Sequence, residues 1–199
     1  MLIITGAIGA GLFFLQLAEH WFWIGFSVLL TFLYSAPKLP HRFANVLKQI
    51  AIGKTIFLAL VWTYVTSMLP ILLTENAWLN EHVLYCVGRF FFIYAICIIF
   101  DFRDREQDRR EGIKSMITYF SERGVNMLFY SSMLVFITTT IALHFYGFSW
   151  LICGALLLPA LLVTMLYPYA KKNFSDYLYY FFLDGMMAFS ALLTAFLPF

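Results

Sequence analysis

One long polar run interrupts an otherwise apolar chain: Phe100-Asp101-Phe102-Arg103-Asp104-Arg105-Glu106-Gln107-Asp108-Arg109-Arg110-Glu111-Gly112-Ile113-Lys114-Ser115. Asp101, Asp104 and Asp108 are spaced i, i+3, i+7, so a helix carried through the run puts all three carboxylates on one face. Glu111 extends the stripe, and Gly112 is placed to stop the helix. Clustered carboxylates repel one another unless a cation sits between them. Mg²⁺ suits that position because it takes one or two carboxylates, keeps some waters and accepts phosphate oxygens. The interleaved arginines and Lys114 suit the remaining phosphate charge. The same spacing also allows a plain salt-bridged helix end, through Asp101–Arg105 and Glu106–Arg110 at i, i+4. Spacing alone leaves both readings open.

An earlier connection reads Tyr34-Ser35-Ala36-Pro37-Lys38-Leu39-Pro40-His41-Arg42. Its prolines end a helix, and Lys38 and Arg42 put positive charge beside the aspartates if both connections lie on one side of a membrane. Taken alone, it is an ordinary basic loop with an interfacial tyrosine.

The elements that must position these loops are membrane spans. Of 199 residues, 62% are hydrophobic, 20% aromatic and only 12% charged, against about a quarter charged in soluble domains. So few charges cannot cover a water-facing surface of this size. The net charge of +2 is too small to indicate nucleic acid as a partner. Cys86, Cys97 and Cys153 lie in apolar runs without a CxxC pair, as small buried hydrophobes rather than a disulfide framework. Seven segments have the length and apolarity of spans: 2–17, 21–35, 50–74, 83–100, 125–145, 148–168 and 177–197. No repeat or long linker divides them, so residues 1–199 read as a single all-α transmembrane bundle.

Basic residues orient the bundle. Twelve of the thirteen Lys and Arg residues fall in three alternate connections, and the opposite connections hold Glu19, Glu75 and Glu81 with no basic residue. By the positive-inside rule, the second, fourth and sixth connections and the N-terminus face the cytoplasm. The expected location is a multi-pass integral membrane protein, in the plasma membrane if the cell is bacterial.

Together the two cytoplasmic loops resemble the UbiA family of intramembrane prenyltransferases. Asp104 and Asp108 match the family's second aspartate-rich motif, DxxxD; Asp101 matches an extra upstream aspartate, and Gly112-Ile113-Lys114-Ser115 matches the tail. Tyr34 and Lys38 match its YxxxK motif, one helix pair earlier. The resemblance implies a nine-helix bundle around a central cavity, of which this chain would supply the last seven helices. It implies Mg²⁺ as cofactor, and a polyprenyl diphosphate and an aromatic or other lipophilic acceptor as substrates. Asp104 and Asp108 would be the catalytic metal ligands and Asp101 a supporting one. Lys38, Arg103 and Lys114 would hold diphosphate, with Tyr34 at the cavity mouth. Basic groups and metal would stabilise the leaving diphosphate, and aromatic walls the allylic cation.

The family's first motif, NxxxDxxxD, does not occur in these 199 residues; Asn173-Phe174-Ser175-Asp176 has the wrong spacing. The expectation is therefore an N-terminally incomplete or degenerate prenyltransferase. The competing classes are a non-catalytic membrane scaffold that keeps the fold and, less favoured, a small transporter. Arg89 and Asp184 are the charges deepest in the spans, where a charge is costly and usually paired. They are expected to approach each other as a buried pair. Arg89 lies ~18 Å of helix from Asp101, and Asp184 ~12 Å from the start of the last span. The aromatic run from Tyr177 to Phe182 is expected to face lipid rather than a prenyl channel.

Overall fold

The computed structural model describes residues 11, 18–35, 51–74, 77–110 and 120–195, with the side chains of 34–35, 51–54, 106–109, 191 and 195 excluded. The described residues are helical and contain no strand. They form α1 (Trp21–Ser35), α2 (Ala51–Thr63, continued by a π turn, Tyr64–Met68, and a last α turn, Leu69–Leu72), α3 (Asn80–Arg110), α4 (Glu122–Ala142), α5 (Trp150–Ala170) and α6 (a π segment, Tyr177–Leu183, running into Asp184–Ala195). Five of them, α2 to α6, are long and apolar enough to cross a bilayer, and α1 is a shorter apolar helix. These match the expected spans from 21–35 onward. The expected span 2–17 lies outside the described residues.

Within hydrocarbon every polar group needs an internal partner, and the spans supply one for their hydroxyls. Thr63, Ser132, Thr140 and Thr164 each donate to the carbonyl four residues back. Ser121 and Ser149 cap α4 and α5 by accepting from the Gly124 and Ile152 amides. A 3₁₀ turn, Leu143–Tyr146, ends α4, and Gly147 follows at φ 95°, a left-handed conformation that glycine adopts without strain. That turn folds α4 back against α5. Pro70 stands just after the π turn of α2, where its missing amide and ring disturb the regular ladder.

Each helix packs beside the next in chain order, α1 on α2, α2 on α3, α3 on α4, α4 on α5 and α5 on α6, and α3 also touches α5. α3 is therefore the central element. Its run Phe92–Ile99 is buried on every side, as expected for a helix apolar all round. At 31 residues it is ~46 Å long, well beyond a hydrocarbon core of about 30 Å. The surplus is the polar run from Asp101 to Arg110, so the helix that crosses the membrane also carries the carboxylate stripe out of it.

The helices lock through aromatic contacts. Phe92 stacks on Phe136, joining α3 to α4, and Phe129 stacks on Tyr167 at 3.7 Å, joining α4 to α5. The Tyr64 hydroxyl donates to the Trp23 carbonyl at 2.9 Å and its ring meets Phe26 edge-on, pinning α1 to α2.

Candidate functional site

The expectation that a helix continues through the aspartates is met in the backbone: α3 runs unbroken to Arg110. Asp101, Asp104 and Asp108 therefore share one face of a continuous helix at its polar end. The side chain of Asp108 lies outside the described residues, as do Lys38 and Lys114. Tyr34 is the penultimate residue of α1, with its side chain outside them as well.

The described carboxylates are held from two sides. Asp101 accepts from the Thr55 hydroxyl of α2 at 2.8 Å. Asp104 pairs with Arg103 Nε at 3.1 Å and keeps a side chain 37% exposed. Arg103 is the best-housed cation of the group. Its guanidinium lies over three rings, Phe100 at 5.6 Å, Tyr179 at 5.3 Å and Tyr180 at 4.4 Å, so cation–π attraction from α6 fixes its position. Its Nη1 is buried with no hydrogen-bond partner among the described residues. A planar, permanently charged fork with a free donor matches a phosphate group.

A second polar cluster braces the same end of the bundle. Lys171, just after α5, donates to Glu122 at 2.6 Å and to Asn126 at 3.0 Å. Tyr167 donates to Asn126 at 2.7 Å. The Lys171 ammonium also sits 5.4 Å from the Phe102 ring and 5.3 Å from Tyr167. Phe102 alternates with the stripe residues on α3, so this latch ties α4 and α5 to the turn that carries Asp101 and Asp104. α6 is tied in by Tyr179, whose hydroxyl donates to the Ala170 carbonyl at 2.8 Å while its ring meets Phe100 edge-on.

The expected intramembrane pair takes a different form. Arg89 is only 4% exposed, and it does reach α6. Nη1 donates to Ser190 Oγ at 2.9 Å and Nη2 to the Met187 carbonyl at 2.6 Å, and the guanidinium lies 5.5 Å from the Phe92 ring. These oxygens are neutral and stand beyond Asp184 on the helix. No ion pair joins Arg89 to Asp184. One turn before Asp184 on α6, Tyr180 carries Arg103 on its ring instead. A carboxylate within a span is costly, up to about 2.5–3.5 kcal/mol at the bilayer centre on insertion scales.

Several participants were not legible as such in the sequence. Thr55 is 46 positions from Asp101 and carries no motif. Lys171 read only as one more basic loop residue. Tyr180 belonged to the run assigned to lipid. Tyr177, Tyr180 and Phe181 are indeed exposed, but Tyr179 is buried and both Tyr179 and Tyr180 hold Arg103. Cys86, Cys97 and Cys153 are free, with Cys97 and Cys153 buried, as small apolar packers should be.

Hard carboxylate oxygens on one helical face, with one carboxylate still partly open to solvent, fit Mg²⁺ in donor type. Among the described residues no group of three acidic, His or Cys side chains gathers around one point, and the third stripe carboxylate, Asp108, is outside them.

An all-helical bundle whose helices are long and apolar enough to cross a bilayer defines an integral membrane protein. The profile of the UbiA prenyltransferase family matches residues 1–191, and the chain belongs to that family. Searches of curated proteins and of solved structures give no match.

Proposed function

We propose that this protein is a membrane prenyltransferase that binds a polyprenyl diphosphate at the end of α3 and transfers the prenyl group to an aromatic or other lipophilic acceptor. The observation that carries this reading is the Asp101–Asp104–Asp108 face on a single helix that leaves the membrane with Arg103 beside it. Family membership supports it.

In this reading Asp101, Asp104 and Asp108 hold Mg²⁺, which when bound neutralises diphosphate oxygens and eases departure of the leaving group. Thr55 fixes the orientation of Asp101 by donating to it. Arg103, held against Tyr179 and Tyr180, turns its free Nη1 to a phosphate oxygen, and Lys38 and Lys114 supply further positive charge. Tyr34 stands at the mouth. The acidic stripe lies on the cytoplasmic side, in the arrangement that the distribution of basic residues calls for.

The test is equilibrium binding of farnesyl diphosphate to the full chain in lipid nanodiscs, with and without Mg²⁺. Asp104→Ala combined with Asp108→Ala is expected to weaken Mg²⁺-dependent binding roughly tenfold or more, a loss of about 1.4 kcal/mol or more. Chelation should do the same to the parent. Unchanged binding would sink the assignment of the metal ligands. A scaffold that merely keeps the fold would show no Mg²⁺-dependent binding in the parent either.

A further inference from the structure

Asp184 plays no part in the diphosphate site, yet it sits inside a span. It opens the α-helical part of α6 after the π segment, and it is exposed. Among the described residues no hydrogen bond or ion pair ends on its carboxylate. An unpaired carboxylate is not stable against lipid hydrocarbon, and acidic groups in spans face a cavity or the bundle interior. Its exposed side must therefore open on a polar space.

The neighbours of Asp184 on α6 say which space. Tyr180, about one turn earlier, carries the Arg103 guanidinium on its ring at 4.4 Å. Met187 and Ser190, one and two turns later, accept from Arg89. Both arginines belong to α3, so Asp184 lies along the seam between α6 and α3, with an α3 cation reaching that seam on either side of it. The chain enters the membrane along α6, so Asp184 lies one turn, about 6 Å, deeper than the Tyr180 ring that carries Arg103.

We propose that Asp184 and Arg103 line a polar subsite one helical turn inside the carboxylate stripe, and that this subsite receives the hydroxyl-bearing head of the lipophilic acceptor. The inference rests on the diphosphate reading given above. An acceptor hydroxyl donates to Asp184, while Arg103 balances the charge between the two substrates. In the transfer step, the allylic C–O bond breaks and its electron pair leaves with the diphosphate. The phenolic O–H gives its proton to Asp184, and the adjacent ring carbon forms the new bond to the allylic carbon. The resulting dienone becomes aromatic again when the ring-carbon proton moves to the oxygen. One proton in total is released, and Asp184 takes it up.

The experiment is binding of 2-naphthol, with naphthalene as the analogue lacking the hydroxyl, to the full chain in nanodiscs, followed by fluorescence. In the parent, 2-naphthol should bind more tightly than naphthalene by about tenfold, equivalent to about 1.4 kcal/mol. Asp184→Asn should remove that preference and Asp184→Glu retain most of it. Neither variant should change naphthalene binding, which also shows that the variants are folded. Equal binding of the two probes to the parent overturns the proposal. So does a preference that survives in Asp184→Asn. A parent that prefers 2-naphthol but binds no farnesyl diphosphate defeats the diphosphate reading instead, and the two failures are thereby distinguished.

Discussion

Arg89 shows how a single buried charge is managed in this bundle. It is a cation with two neutral oxygen partners rather than a carboxylate, and its Nε has no partner among the described residues. Charge-assisted hydrogen bonds are then its main compensation for leaving water, along with the Phe92 ring. Removing one acceptor leaves a buried donor unsatisfied, at a cost of about 1–3 kcal/mol. Ser190→Ala should accordingly lower the midpoint of thermal unfolding in detergent, and a variant as stable as the parent would show that another acceptor takes over. The presence of Arg89 in a span was plain in the sequence, and so was its need for a partner. Which oxygens would serve was not, because a guanidinium on a long stem can reach several positions of a neighbouring helix.

Among the elements, α3 is the one that packs against α2, α4 and α5, and one of its contacts with α4 is built on a missing side chain. A Cβ added at Gly88 would meet Thr139 Oγ1 at 2.6 Å and Phe136 at 3.6 Å. Small residues at such crossings let helix backbones come together in membranes. Thr139 cannot easily yield, because its hydroxyl is engaged with the carbonyls of Val135 and Phe136. Gly88→Ala should therefore destabilise by about 1–3 kcal/mol, the usual range for overpacking. Adding Thr139→Ala should restore most of that loss, giving a favourable coupling in a double-mutant cycle. Additive effects would mean that the crossing has slack. The π segments in α2 and α6 belong to the same scale. Nothing in the local sequence of α6 announces one, yet the wider turn there presents Tyr179 inward to Phe100 and leaves Tyr180 to receive Arg103.

For the whole molecule, orientation in the membrane decides which compartment the site can sample. By the distribution of basic residues, the connections at 36–49, 101–124 and 171–176 are expected in the cytoplasm. With Cys86, Cys97 and Cys153 changed to Ala, a water-soluble thiol reagent applied from outside the cell should label Ala77→Cys and spare Ser175→Cys. Inside-out vesicles should give the reverse. Labelling of Ser175→Cys from outside would invert the topology and move the carboxylate stripe away from the cytoplasm. The Lys171–Glu122–Asn126–Tyr167 latch belongs on the same side as the stripe, since both close the same end of α3, α4 and α5.

Length and apolarity determined the helices themselves, because a span must satisfy its backbone internally and so announces itself in about twenty residues of local sequence. Helical spacing alone likewise put Asp101, Asp104 and Asp108 on one face, since periodicity is a property of one element. The resemblance through the DxxxD and YxxxK motifs already pointed to the family that the profile match then showed. Which residues stand opposite that face was decided only by the tertiary structure. Thr55 reaches Asp101, Tyr180 stacks on Arg103, and Arg89 reaches Ser190 and the Met187 carbonyl instead of Asp184. Those pairings depend on the rotation and depth of one helix against another. Those quantities are set by the packing of all the apolar faces together, and no short stretch of sequence encodes them.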